Sequence, residues 1–179
     1  MNTKNNMRYV ALLRGINVGG NKKVDMKKLT KVFTEMGYTD VQTYINSGNV
    51  IFSSHKKDFT KIEPTLKKAF GFAIEVVVRD ASAIRALVKK IPKQWSNNTE
   101  QKTDIIFLWE GYTSKKTLSL IKQKPVDTLM YIDGAIVWHV LRKDYTKSGM
   151  RDFIGTEVYK HMTARNVNTV RKINELLGV

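Results

Sequence analysis

Val41-Gln-Thr-Tyr-Ile-Asn46-Ser47-Gly48-Asn49-Val-Ile-Phe-Ser53 is the stretch on which the fold turns. Residues 41–46 alternate apolar and polar, the period of a strand with one wet face. Ser47-Gly48 reads as a tight hairpin turn, and residues 49–53 as the returning strand. On its N-terminal side lie a strand at 8–13 and a helix whose stripe is Met26, Leu29, Val32, Phe33 and Met36. Asp25 is the expected cap of that helix and Gly37 its stop. On its C-terminal side a helix over 58–70 carries Ile62, Leu66, Ala69 and Phe70 inward, with Pro64 early in it and Gly71 closing it. A strand at 74–79 follows. The order β-α-β-β-α-β is the split-βαβ or ferredoxin-like pattern.

The second half nearly repeats the plan. A helix over 80–91 ends at Pro92, and polar residues 94–103 read as a linker. Then come a strand at 104–109, a helix at 113–122, and strands at 126–132 and 135–141 joined by Asp133-Gly134, a strong hairpin signal. A loop at 143–149 and one or two helices finish the chain, with no obvious closing strand. Val167, Val170, Ile173, Leu176 and Leu177 form the stripe of the last helix. The expectation is an α+β protein of two ferredoxin-like (βαββαβ-type) subdomains with antiparallel sheets and an extra C-terminal helix. They are placed at 1–92 and 93–179.

With 179 residues the chain is long enough to bury about 70% of the surface its unfolded form exposes. It has no cysteine, which excludes disulfides, thiolate metal sites and cysteine nucleophiles. No apolar run approaches the roughly 18 residues of a membrane span, and the N-terminus lacks the apolar core of a secretory signal. A cytoplasmic protein with no membrane partner is expected. Net charge is +15. Residues 1–80 hold 14 basic and 7 acidic residues, and the remainder 17 and 9, so the excess is not a basic tail. Such a field attracts polyanions.

The segment between the first strand and first helix is glycine-rich and basic: Arg14, Gly15, Asn17, Gly19, Gly20, Asn21, Lys22 and Lys23. Glycines there let backbone amides converge, and phosphate or carboxylate groups favour such places. A βα loop needs fewer residues than this one uses. The glycine spacing matches neither the phosphate-loop nor the dinucleotide fingerprint. Ser47 and Asn49 present polar groups at the hairpin, where Gly48 is explained by the turn itself. Thr163, Arg165, Asn166 and Thr169 read as the start of the last helix, with Thr163 as cap. An arginine there opposes the helix dipole and calls for an acidic partner or an anionic ligand. Arg165 and Asn166 are expected to face the cleft of the glycine loop.

Three segments carry a family resemblance: 9–24; Val41-Gln-Thr-Tyr-Ile-Asn-Ser-Gly-Asn-Val-Ile-Phe52; and Thr163-Ala-Arg-Asn-Val-Asn-Thr-Val170. Together they resemble the domain-of-unknown-function family 1697 of bacterial proteins. The resemblance implies two α/β subdomains of ferredoxin-like kind, in agreement with the strand order. It brings no catalytic residues. The family carries an aromatic where this chain has Val167, which weakens any case for stacking there.

His55, His139 and His161 show no metal-ligand spacing, and no metal or cofactor is expected. No nucleophile or general base is identifiable from spacing. An RNA-recognition sheet would place aromatics on its central strands, and Tyr9 and Phe52 alone do not make one. The reading that remains is a protein binding a phosphate-containing small molecule or nucleic acid through Arg14, Asn17, Gly19, Gly20, Asn21, Lys22, Lys23, Ser47, Asn49, Arg165, Asn166 and Thr169. An enzyme acting on an anionic substrate in the same cleft and a protein-interaction module are the alternatives. The oligomeric state is open.

Overall fold

The computed structural model describes residues 6–20 and 22–178; Asn21, Val179 and the first five residues lie outside them. The described chain divides into two compact units, 6–82 with 175–178, and Ala83–Asn174.

In the first unit the elements are β1 (Met7–Leu13), α1 (Met26–Glu35), β2 (Thr39–Tyr44), β3 (Asn49–Ser54), α2 (Ile62–Phe70) and β4 (Val76–Asp80). The sheet order is β2-β3-β1-β4, antiparallel throughout. β1 is buried on both faces, Val10 and Leu12 as fully as Tyr9, Ala11 and Leu13. That is why its sequence is a continuous apolar run instead of an alternation. Tyr9 pairs with Phe52 and Ala11 with Val50, and the same face meets Leu29 and Phe33 of α1 and Ile62 and Leu66 of α2. Each of the valine, leucine, isoleucine and phenylalanine side chains among them adds about 1.5–3 kcal/mol when fully buried. Phe52 is the hub, with the Tyr38, Phe33 and Tyr9 rings 4.6, 5.5 and 5.7 Å from it.

Two expectations change here. α2 begins at Ile62, four residues later than the sequence suggests, so Pro64 falls in the first turn, where an N–H has no intrahelical acceptor to lose. The β2–β3 connection is a four-residue loop, 45–48, not a two-residue turn. Gly48 has φ +74°, and a Cβ there would lie 2.8 Å from both Leu13 Cβ and Ile16 Cδ1. The hairpin therefore rests on the root of the glycine-rich loop at a distance that only glycine allows.

The second unit comprises most of α3 (Ala81–Lys90), β5 (Gln101–Leu108), a 3-10 turn at Lys115–Leu120, β6 (Thr128–Ile132), β7 (Ala135–Leu141), 3-10 turns at Arg142–Lys147 and Gly149–Arg151, α4 (Glu157–Lys160), β8 (Met162–Asn166) and most of α5 (Val167–Leu176). Its sheet order is β6-β7-β5-β8, the same permutation as in the first unit. Both units are ferredoxin-like. The closing strand absent from the sequence reading is β8. Asp133 and Gly134, at φ +42° and +84°, make the expected two-residue turn between β6 and β7. The helix expected at 113–122 is the 3-10 turn, capped by the Ser114 side chain. Ile106, Leu108, Ile136, Trp138, Phe153, Val158 and Met162 form the core.

Candidate functional site

In the glycine-rich loop the backbone is left-handed at Gly15, Asn17, Gly19, Gly20 and Lys22. Asn17 is the clasp. Its Oδ1 accepts from Val24 N at 2.8 Å, and its Nδ2 donates to Val24 O at 3.0 Å and to Asn46 O at 2.9 Å. Asn17 N also donates to Lys22 O at 3.2 Å, closing residues 17–22 on themselves. One carboxamide thus holds the loop shut and fastens it to the β2–β3 hairpin. Asn17→Ala removes three hydrogen bonds and leaves an alanine at φ +54°. A loss of about 2–3 kcal/mol is expected in chemical denaturation. A change below about 0.5 kcal/mol, the range of ordinary surface substitutions, would contradict the clasp.

The rest of the loop faces outward. Val18, Gly19, Gly20, Lys22 and Lys23 are exposed, and among the described residues no atom other than those of chain neighbours lies within 4 Å of a Cβ built at Gly19 or Gly20. Lys22 Nζ reaches Ala73 O at 3.5 Å and stands 6.0 Å from the Phe72 ring centre. Arg14 Nη1 donates to Glu75 Oε2 at 2.9 Å. The amide end of α1 is occupied by the protein itself, because Asp25 Oδ1 accepts from Lys28 N at 2.7 Å. An anion at this loop would meet the backbone of 18–20 and the two lysines, not the bare start of the helix. Asn49 is fully buried, its Nδ2 donating to Tyr44 O at 3.0 Å and Ser47 Oγ at 3.1 Å. It closes the hairpin from within. Arg14, Asn17, Gly19, Gly20, Lys22, Lys23, Ser47 and Asn49 all belong to the first unit.

The family model described as "Protein of unknown function (DUF1697)" matches residues 7–138, well over half of the chain. The chain belongs to this family. Segments 9–24 and 41–52 fall inside the matched stretch of the DUF1697 model; 163–170 lies beyond it. A solved structure, the conserved bacterial protein SP0830 from Streptococcus pneumoniae, is 27% identical, with 96% of this chain and 99% of that one covered and a TM-score of 0.80. No curated protein matches significantly. Among the described residues no helix is long and apolar enough to cross a membrane, and no three His, Asp or Glu gather as metal ligands do.

In this DUF1697 chain the remaining predicted residues, Arg165, Asn166 and Thr169, lie in the second unit. Arg165 is in β8, paired with Ile105 of β5, so the helix-dipole argument does not apply to it. Its guanidinium is buried and donates to Thr163 Oγ1 at 2.9 Å and Ala164 O at 2.8 Å. Burial lowers its pKa to about 10, which still leaves it charged at neutral pH. Thr163 is a strand residue opposite Phe107. The cap of α5 is Asn166, whose Oδ1 accepts from Thr169 N at 2.9 Å. His139 is a packed imidazole, stacked on Trp95 at 4.4 Å and bonded through Nδ1 to Thr103 Oγ1 at 2.8 Å; burial lowers its pKa and keeps it neutral.

Nothing in the local sequence sets Asp127 apart. Its side chain is buried in the second unit, where Oδ1 accepts from the Ser148 hydroxyl and Oδ2 from Gly149 N at 2.9 Å and Lys124 N at 3.0 Å. Burial alone would raise its pKa. The Ser148 hydroxyl, the Trp138 indole and the two backbone amides outweigh burial and hold the carboxyl below the usual range. The indole Nε1 acts from beyond ordinary hydrogen-bond geometry.

Proposed function

We propose that this protein binds a phosphate-bearing ligand, a nucleotide or a nucleic acid, at the glycine-rich loop of its first unit. The observation that supports the reading is the exposed, left-handed backbone at Gly19 and Gly20 beside the exposed Lys22 and Lys23. Turns of this kind collect amide N–H groups into a concave, anion-favouring surface. The clasp at Asn17 holds that surface in place without a ligand, so little ordering entropy is lost on binding. A net charge of +15 adds long-range attraction.

The test is a thermal-shift panel of nucleotides, sugar phosphates, inorganic phosphate and short RNA at low and moderate salt. A ligand at 100 times its dissociation constant adds roughly 2.7 kcal/mol, a shift of several degrees. Lys22→Ala with Lys23→Ala is expected to abolish the shift and leave the unliganded melting temperature within about 1 °C, since both side chains are exposed. A response that fades with salt points to nucleic acid, and one that survives it to a small phosphate compound. Unaltered binding by the double variant would remove the loop from consideration.

A further inference from the structure

The first unit holds a cavity of about 380 Å3, lined by both polar and apolar groups, between the C-terminal end of α1 and the segment that follows β3. Tyr38 lines it, 4% exposed, with its ring packed on Phe52 and Phe33. The Tyr38 hydroxyl is buried and has no hydrogen-bond partner among the described residues. An unpaired buried hydroxyl is costly, and native structures keep few of them. Burial and the nearby Asp58 carboxylate raise its pKa, so it stays protonated, a donor without an acceptor.

The other groups of the cavity define what that acceptor is. Asp58 also lines the cavity, as its one acidic group; its Oδ1 accepts from Thr60 N at 3.0 Å and Thr60 Oγ1 at 2.7 Å, and neither of its oxygens is bonded to the Tyr38 hydroxyl. The Ser54 hydroxyl donates to Lys56 O at 2.8 Å and accepts from Lys56 N at 3.1 Å. Lys61 Nζ lies 5.1 Å from the Tyr38 ring centre and donates to Met36 O, covering a carbonyl at the C-terminal cap of α1 that would otherwise repel an anion. An ammonium has three donors, so two remain. Lys56 lines the same cavity.

The geometry points to a binding site for a small oxyanion, a carboxylate or phosphate group whose oxygen accepts from the Tyr38 hydroxyl while Lys61 and Lys56 supply the positive charge. The Tyr38 hydroxyl is shut off from solvent in the unliganded chain, so exposed side chains at the mouth of the cavity shift as the anion enters, while Lys61 stays over the Met36 carbonyl. The site is distinct from the glycine-rich loop and does not depend on it.

The experiment is calorimetric titration of the full chain carrying Lys22→Ala and Lys23→Ala, with inorganic phosphate in one arm and citrate in the other. Saturable one-site binding is expected in at least one arm, and the arm that responds identifies the group. Added in that background, Tyr38→Phe should weaken binding roughly tenfold or more. Its unliganded melting temperature should not fall, because the substitution removes an unpaired polar atom. Lys61→Gln, at an exposed position, should weaken binding as well. Absence of saturable binding in both arms, or undiminished binding by Tyr38→Phe, would overturn the proposal. A clear loss of stability in unliganded Tyr38→Phe would overturn it too, by showing that the hydroxyl is already satisfied.

Discussion

Gly149→Ala is expected to destabilise the protein by about 3 kcal/mol or more, although it adds a single methyl group. A Cβ at Gly149 would lie 2.1 Å from Lys122 O and 3.2 Å from Asp127 Oδ2. The first of these is backbone, so no side-chain rotation relieves the overlap. Nor can the turn at Gly149–Arg151 slide away, because Gly149 N donates to Asp127 Oδ2. The same carboxylate oxygen holds Lys124 N from the other segment. Relief requires separating two stretches of backbone that Asp127 binds together. Urea denaturation reads the effect directly, and a loss under about 1 kcal/mol would mean that this junction yields far more easily than its geometry implies.

Asp127→Asn, a change of one atom, is expected to cost about 2–4 kcal/mol at neutral pH. Three donors converge on the carboxylate. An amide keeps one acceptor oxygen and turns an NH2 toward the remaining donor. The pH dependence carries the sign of the native pKa. The folded carboxyl titrates below the unfolded value of about 3.9, so its contribution is complete above that value and is lost as pH falls through the folded pKa. The stability difference between wild type and Asp127→Asn should therefore be constant from neutral pH down to about 5 and shrink in more acidic solution. A difference that stays constant into strong acid would show that the charge is not what the three donors hold.

The architecture was readable where side chains alternate or recur cleanly. Strands 49–53 and 135–141, the stripe of α1 and the Asp133-Gly134 turn stand in the structure close to where period and turn chemistry put them. The missed element, β8, is a strand whose buried positions are polar. Thr163 and Arg165 alternate inward with their hydrogen bonds satisfied locally, so Thr-Ala-Arg-Asn reads as a helix cap and not as a core strand. β5 starts at Gln101, earlier than expected, for a related reason: Thr103 is fully buried. Single residues of structural or chemical weight were harder still. Asp127 follows Pro125-Val126 like any turn aspartate, and its partners Ser148 and Gly149 are more than twenty positions away. Tyr38 looks like an ordinary residue after a helix-stopping glycine until the absence of a partner for its hydroxyl among the described residues is visible. The glycine-rich loop stood out from composition alone, but the roles of Asn17 and Asp25 within it come from bonds to Val24, Asn46 and Lys28.

The first unit is built from both ends of the described chain, with Arg8 of β1 donating through Nη2 to Leu176 O at 3.2 Å. During synthesis the ribosome delivers β1 early and Leu176 after the whole of the second unit. The N-terminal sheet can assemble while translation continues, but Arg8 gains this acceptor only when the last helix has left the exit tunnel. Order of manufacture and order of completion therefore run in opposite senses. The unit made first is finished last.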